Sequence, residues 1–202
     1  GPRITLNPSQ LDSFLRCPLH WFLENHGGKT GDFSASVGTL IHQAMELSTA
    51  VDEASLWQFV ESGWHNLRFE SEWLEQAERR RAQAAVANLA KYLTEFQDQG
   101  GLVLAREQEF QLDIGRAHIR GKVDRIEQRA DGSVIIVDLK TGSRIPTIEE
   151  GKRNPQLGLY QLAYLNGAFQ LAQPAPDTVL AGAKLLLVGG GNKTEREQDS
   201  LQ

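Results

Sequence analysis

The chain has 202 residues, 40% hydrophobic and 23% charged, with a formal net charge of −5. That is enough for one domain, residues 1–202, with a proper core, and no apolar run is long enough for a membrane span. The acidic balance argues against non-specific nucleic-acid binding by the whole surface, but leaves room for a local groove where a bound cation offsets clustered acids.

In chain order, helices come first. Asn7-Pro8-Ser9-Gln10 reads as a helix start, with Asn7 as cap and Pro8 at the first helical position, where a missing N–H costs nothing. Leu11, Phe14 and Leu15 form an apolar stripe. Cys17, the single cysteine, rules out an internal disulfide framework and suits a reducing, cytoplasmic compartment. Pro18 restarts the helix, Trp21, Phe22 and Leu23 are expected to pack inward, and Gly27-Gly28 to end the element. A loop of small and polar residues then runs through Ser36. Residues 38–50 predict another helix, with Leu40, Ile41, Ala44, Met45 and Leu47 on a wide apolar face and His42 and Glu46 one turn apart. Residues 52–99 stay helical, broken near 66–71 and stopped by Gly100-Gly101.

The period then changes from helical to two. Residues 102–114 and 116–128 read as strands joined at Gly115. Residues 134–139 are nearly all apolar, which predicts a central strand covered on both faces. Residues 155–171 predict a helix, 179–188 a last strand, and the polar tail from Gly189 a loose end. The order predicts an α/β or α+β domain with a mixed sheet.

Two segments carry the chemistry: Gly121-Lys122-Val123-Asp124-Arg125 and Val137-Asp138-Leu139-Lys140-Thr141-Gly142. Residues two apart on a strand share a face, so Asp138 and Lys140 project together. Whether Asp124 joins them depends on the turn between the strands. A two-residue Asp131-Gly132 loop would set Asp124 opposite Leu139, and a one-residue slip flips every side chain. A three-residue loop, Ala130-Asp131-Gly132, sets Asp124 opposite Asp138, with Gly132 where the left-handed residue belongs. We expect the three-residue loop. Two carboxylates and an ammonium group then surround a place for a divalent cation, a water and a phosphate.

The basic residues divide by context. Arg79, Arg80 and Arg81 read as a solvated helix face. Arg120, Lys122, Arg125, Arg144, Lys152 and Arg153 cluster in sequence around the proposed site and could track a phosphate backbone.

Taken in order, Gly38-Thr39-Leu40-Ile41-His42, Glu109, the Asp124 and Asp138-Leu139-Lys140 segments, and Gln156 with Tyr160 resemble the RecB-like branch of the PD-(D/E)xK nucleases. The opening, Phe14 to Glu24, more narrowly resembles the C-terminal nuclease domain of actinobacterial AdnA/AdnB helicase–nucleases. The resemblance implies an α/β restriction-endonuclease-like core with a mixed central sheet and a helical N-terminal part. It implies metal ligands at His42, Asp124, Asp138 and the backbone carbonyl of Leu139, with Mg2+ or Mn2+ as the cation; Glu109 reads either as a solvated strand residue or as a member of the site. Lys140 would orient the attacking water and stabilise charge on the phosphate, while Gln156 and Tyr160 steady the site or touch DNA. The implied activity is cleavage of DNA, as single strands fed by a helicase motor in the same or a partner chain, during double-strand-break end processing in repair and recombination. Gly1-Pro2 resembles a cleavage remnant, so a piece of a larger helicase–nuclease is expected. A motor must lie elsewhere, because no G-x-x-x-x-G-K-[ST] loop is present. Some relatives hold an iron–sulfur cluster on four cysteines; this chain, with Cys17 alone, cannot build one. The alternative from another class is a nuclease-like module that binds DNA without cutting it.

Overall fold

The computed structural model describes residues 4–26, 33–171 and 178–201. The chain opens with a short strand the sequence reading missed, β1 (Ile4–Leu6), too brief to show a period. Helix α1 (Pro8–Arg16) follows, and the Asn7 side chain accepts the Ser9 N–H at 3.0 Å, as a cap should. Helix α2 (Pro18–His26) restarts after Cys17. Its expected inward packing is not found: Phe22 and Leu23 are 53% and 54% exposed, and only Trp21 is half-buried, edge-on to Phe14 at 5.4 Å. At 3.6 residues per turn, three consecutive side chains fan over more than half the helix circumference, so they cannot all face one way. The Gly27-Gly28 stop lies outside the described residues.

Helix α3 (Phe33–Leu47) begins inside the segment expected to be loop. Helices α4 (Glu53–Trp64) and α5 (Glu72–Asp98) carry side-chain caps at Asp52 and Ser71 and break where expected. None of the described helices is long and apolar enough to cross a membrane. Then come β2 (Leu102–Ile114), β3 (Ala117–Gln128) and β4 (Val134–Lys140). Short helix α6 (Ile148–Lys152) leads into α7 (Pro155–Leu165), which ends six residues before the predicted Leu171. Strand β5 (Leu180–Leu187) is not the last: β6 (Thr194–Asp199) pairs antiparallel with it, in place of the expected loose tail. An edge strand of this composition, Thr-Glu-Arg-Glu-Gln-Asp, shows no apolar alternation, which is why periodicity missed it.

The sheet runs β1-β3-β4-β5-β6, with β2 on the far edge of β3. The pairs β1–β3 and β4–β5 are parallel and the others antiparallel, so the sheet is mixed. Strand β4 is central and buried from Val134 to Leu139, with Lys140 half-buried at its end. Ile135, Val137 and Leu139 face α3, α4 and α5 across one core; Val134 and Ile136 face α7 across the other. Each fully buried aliphatic side chain contributes about 1.5–3 kcal/mol, which makes this two-sided strand the anchor of the domain.

The β3–β4 register is the predicted one. Arg129 N–H donates to the Ser133 carbonyl at 2.8 Å, leaving Ala130-Asp131-Gly132 as the loop with Gly132 at φ +86°. The ladder runs Gln128↔Val134 to Arg125↔Val137, and one step further sets Asp124 opposite Asp138. There the ladder stops. On that same edge, β1 pairs with Ala117, His118 and Ile119. Residues 120–124 therefore face a gap between two strands that share one edge of β3.

Gly182 tests the β5–β6 pairing. Its φ is +144°, and a Cβ there would lie 2.1 Å from the Gln198 carbonyl oxygen. Gly182→Ala is expected to destabilise the domain by about 3 kcal/mol in a denaturant titration, from overpacking and backbone strain together. A change near zero would mean β6 does not dock there.

Candidate active site

Asp124 stands in the gap on β3. Its Oδ2 accepts the Leu139 N–H at 2.6 Å, so a side chain satisfies a backbone donor that the ended ladder leaves over. Its Oδ1 is 3.4 Å from Nδ1 of His42. That histidine reaches the gap because α3 comes very close to the end of β4. Gly38 makes the approach possible: a Cβ there would sit 2.8 Å from the Thr141 hydroxyl oxygen. One turn further on, His42 lies on the same side of the helix.

Asp138 is 3% exposed and held from the other face. Its Oδ1 accepts from Gln156 Nε2 at 3.0 Å and from the Tyr160 hydroxyl at 3.1 Å, both on α7. Gln156 Nε2 also donates to the Tyr160 oxygen at 2.7 Å, and its Oε1 accepts from Lys140 Nζ at 3.0 Å. The Lys140 ammonium lies 2.7 Å from Asp138 Oδ2, but off the line a hydrogen bond needs, so this buried oxygen has charge beside it and no aligned donor.

The charges modify one another. Burial raises the Asp138 pKa; Lys140 opposes the rise and Asp124 adds to it, and the net shift is upward. Burial works against the Lys140 ammonium, but Asp138 outweighs it and its pKa is raised. Burial likewise disfavours charge on His42, yet Asp124, with Asp138 and Glu107 further off, carries it above its ordinary 6.5. Burial and the Asp138 charge raise Tyr160, so it stays a hydroxyl donor.

A further acid enters that the sequence reading missed. His42, Glu107 and Asp124 each bring a ligand atom to within 4.8 Å of the others. Glu109, the acid singled out from sequence, is exposed. The signal was in the β2–β3 register, Ile114↔Ala117 to Gln108↔Val123, whose next step sets Glu107 opposite Asp124. The backbone there is unusual: Glu107 has φ +48°, and its carboxylate pairs with Lys122. The donor chemistry fits a hard divalent cation: carboxylate oxygens, one imidazole, and nearby a buried carboxylate oxygen without a donor. His42, Asp124, Asp138, Leu139, Lys140, Gln156 and Tyr160 all line one open cleft of about 370 Å³.

The basic residues separate more sharply than their spacing suggested. Arg125 is buried, paired with Glu127 and stacked over Phe96 at 5.2 Å on the α5 side, so it is withdrawn from any DNA surface. Arg144 pairs with Glu150 at 2.6 Å, and Lys152 lies 3.8 Å from Glu149. Arg120 and Arg153 are exposed. Of the α5 run, Arg79 pairs with Glu61 over the rings of Trp57 and Trp64.

Comparison with known proteins identifies the family. The description of the PD-(D/E)XK nuclease superfamily matches residues 5–200. The chain is 38% identical over 98 residues to one of the subunits of the ATP-dependent helicase/deoxyribonuclease from two strains of Streptococcus equi subsp. zooepidemicus. That match takes in 44% of this chain and 9% of the relative, so the chain spans a small part of that protein's length. A crystal structure from Eubacterium rectale, described as a candidate exonuclease, is 12% identical at a TM-score of 0.49, covering 96% of this chain and 72% of that one. The crystal structure of SSO0001 is 14% identical at a TM-score of 0.39, covering 97% and 68%.

The His42–Asp124 contact makes stability depend on pH. Because the folded-state pKa of His42 is raised, its contribution is complete below the unfolded value of 6.5 and is lost as pH rises through the folded value. With a chelator present, the stability gap between wild type and His42→Gln is expected to be wide at about pH 5.5 and to close by about pH 9. A gap that does not change with pH would show that no proton is linked to this contact.

Proposed function

The chain belongs to the PD-(D/E)XK nuclease superfamily, and from that premise we propose that it is a metal-dependent deoxyribonuclease that hydrolyses DNA phosphodiester bonds. The observation that carries the reading is the juxtaposition, in one cleft, of His42 and Asp124, clustered with Glu107, with a buried Asp138 and the Lys140 ammonium beside it.

His42, Glu107, Asp124 and Asp138 are the side chains that would hold the cation, with the Leu139 carbonyl as a further candidate ligand. Magnesium or manganese, when bound, would supply Lewis acidity toward the phosphate and its attacking water. Lys140 remains charged because Asp138 faces it. Its ammonium can orient a water and donate to a phosphate oxygen as negative charge builds there. Gln156 fixes that ammonium from one side and Asp138 from the other, so the donor is held in place before substrate arrives. Water oxygen bonds to phosphorus as the P–O3′ bond breaks, leaving a 5′-phosphate and a 3′-hydroxyl.

The substrate we infer is single-stranded DNA delivered by a helicase motor, in the same polypeptide or a partner, during double-strand-break end processing in the cytoplasm. The partial match to a component of a helicase/deoxyribonuclease supports this. The RecB-like and AdnA/AdnB-like resemblance points the same way, and an exonuclease mode fits that role.

Two hydrogen-bond donors, Gln156 and Tyr160, converge on Asp138, so Asn is a cleaner replacement than Ala, which would strand them. Asp138→Asn is expected to keep the wild-type melting profile and to lose manganese-supported cleavage of single-stranded DNA. Lys140→Ala should lose about 10²- to 10³-fold in kcat. A folded wild type that binds the strand but does not cut it, with either metal, would favour the non-cutting module.

A further inference from the structure

We propose that a groove opening from the catalytic cleft is the path of the DNA strand beyond the bond that is cut, and that Arg153 holds a phosphate there. The proposal rests on the deoxyribonuclease reading above. The groove is the larger of the two spaces, about 690 Å³ against 370 Å³. It is continuous with the cleft, because Ser9, Lys140, Gly142 and Gln156 line both. One wall is α1 and the other is α6 with the turn that follows it.

A strand laid in this groove meets three guanidinium groups, and they are not equivalent. Arg16 is paired with Asp12, and Arg144 with Glu150. A phosphate can reach either only by displacing a carboxylate, which gives back much of what it gains. Arg153 is exposed and, among the described residues, has no acid partner. Its planar fork of N–H donors matches phosphate oxygens at no such cost.

Arg153 is also tied to the reacting groups by a short, rigid connection. Its own N–H donates to the Glu149 carbonyl at 3.1 Å, closing α6. The next residue, Asn154, caps α7 through the Leu157 N–H at 3.0 Å. Gln156, which holds Lys140, follows two residues later. A phosphate on Arg153 therefore fixes the strand relative to the ammonium, which makes Arg153 a positioning residue for substrate.

The test uses the full chain, a short single-stranded deoxyoligonucleotide and a chelator, so that binding is read without cleavage. Arg153→Gln is expected to weaken binding several-fold and to reduce the slope of log affinity against log salt by about 0.7, the release expected for one phosphate contact on a single strand. Arg153→Lys should restore the slope. Arg116→Gln, at the exposed β2–β3 turn outside the groove, should leave it unchanged. In manganese, Arg153→Gln should raise KM with kcat nearly unaltered. An unchanged slope for Arg153→Gln, or an equal loss for Arg116→Gln, overturns the assignment. A wild type that binds with the Arg153-dependent slope yet never cleaves defeats the deoxyribonuclease reading and leaves the groove standing.

Discussion

The site depends on β3 dividing one of its edges between two partners. Strand β4 holds that edge from Arg125 onward and β1 holds it up to Ile119. In a continuous sheet, the backbone groups between would pair with a neighbouring strand and the edge would close. Here it stays open for five residues, and the cost is met locally: the Asp124 carboxylate takes the Leu139 N–H. The same opening lets α3 bring His42 in from one face while α7 brings Gln156 and Tyr160 from the other. A complete ladder would separate those two layers by the thickness of the sheet.

Inside the opening, Gln156 has an unusual burden. Its amide touches Lys140, Asp138 and Tyr160 together, so one side chain spends both of its polar ends within the network. Buried polar networks of this kind are strong when complete and costly when one member is missing. Asp138 Oδ2, beside the Lys140 ammonium but without an aligned donor, is the exception, and it lies where a further cation would be welcome. The raised pKa of Asp138 has the same origin: burial makes the carboxylate ionise reluctantly, Lys140 only partly offsets this, and Asp124 adds to it.

Much of this could be read before any coordinates. The length of one turn decided whether Asp124 belonged to the site, because side-chain direction alternates strictly along a strand. Val134 to Leu139 announced a two-sided strand by being apolar at every position but Asp138. The reading failed where such rules are silent. Glu109 entered through the family resemblance alone, whereas the β2–β3 register, which sets Glu107 opposite Asp124, depends on how the chain turns at Gly115. Strand β6 has no apolar face toward solvent or core strong enough to register as a period, and its buried Gln198 is held by hydrogen bonds to Gln161, Lys152 and Asn154. Arg125 looked like a phosphate contact because it adjoins Asp124 in sequence; one position along a strand is the opposite face, and there Glu127 and Tyr92 form a buried polar cluster with it.

The placement of Asp138 and Lys140 on a strand covered on both sides has a consequence for durability. Local fluctuations that free a loop or fray a helix end leave such a strand intact, and its amides exchange only when the whole domain opens. The reacting groups therefore share the lifetime of the core itself. A protease that nicks the periphery should trim this protein for some time before it disarms it.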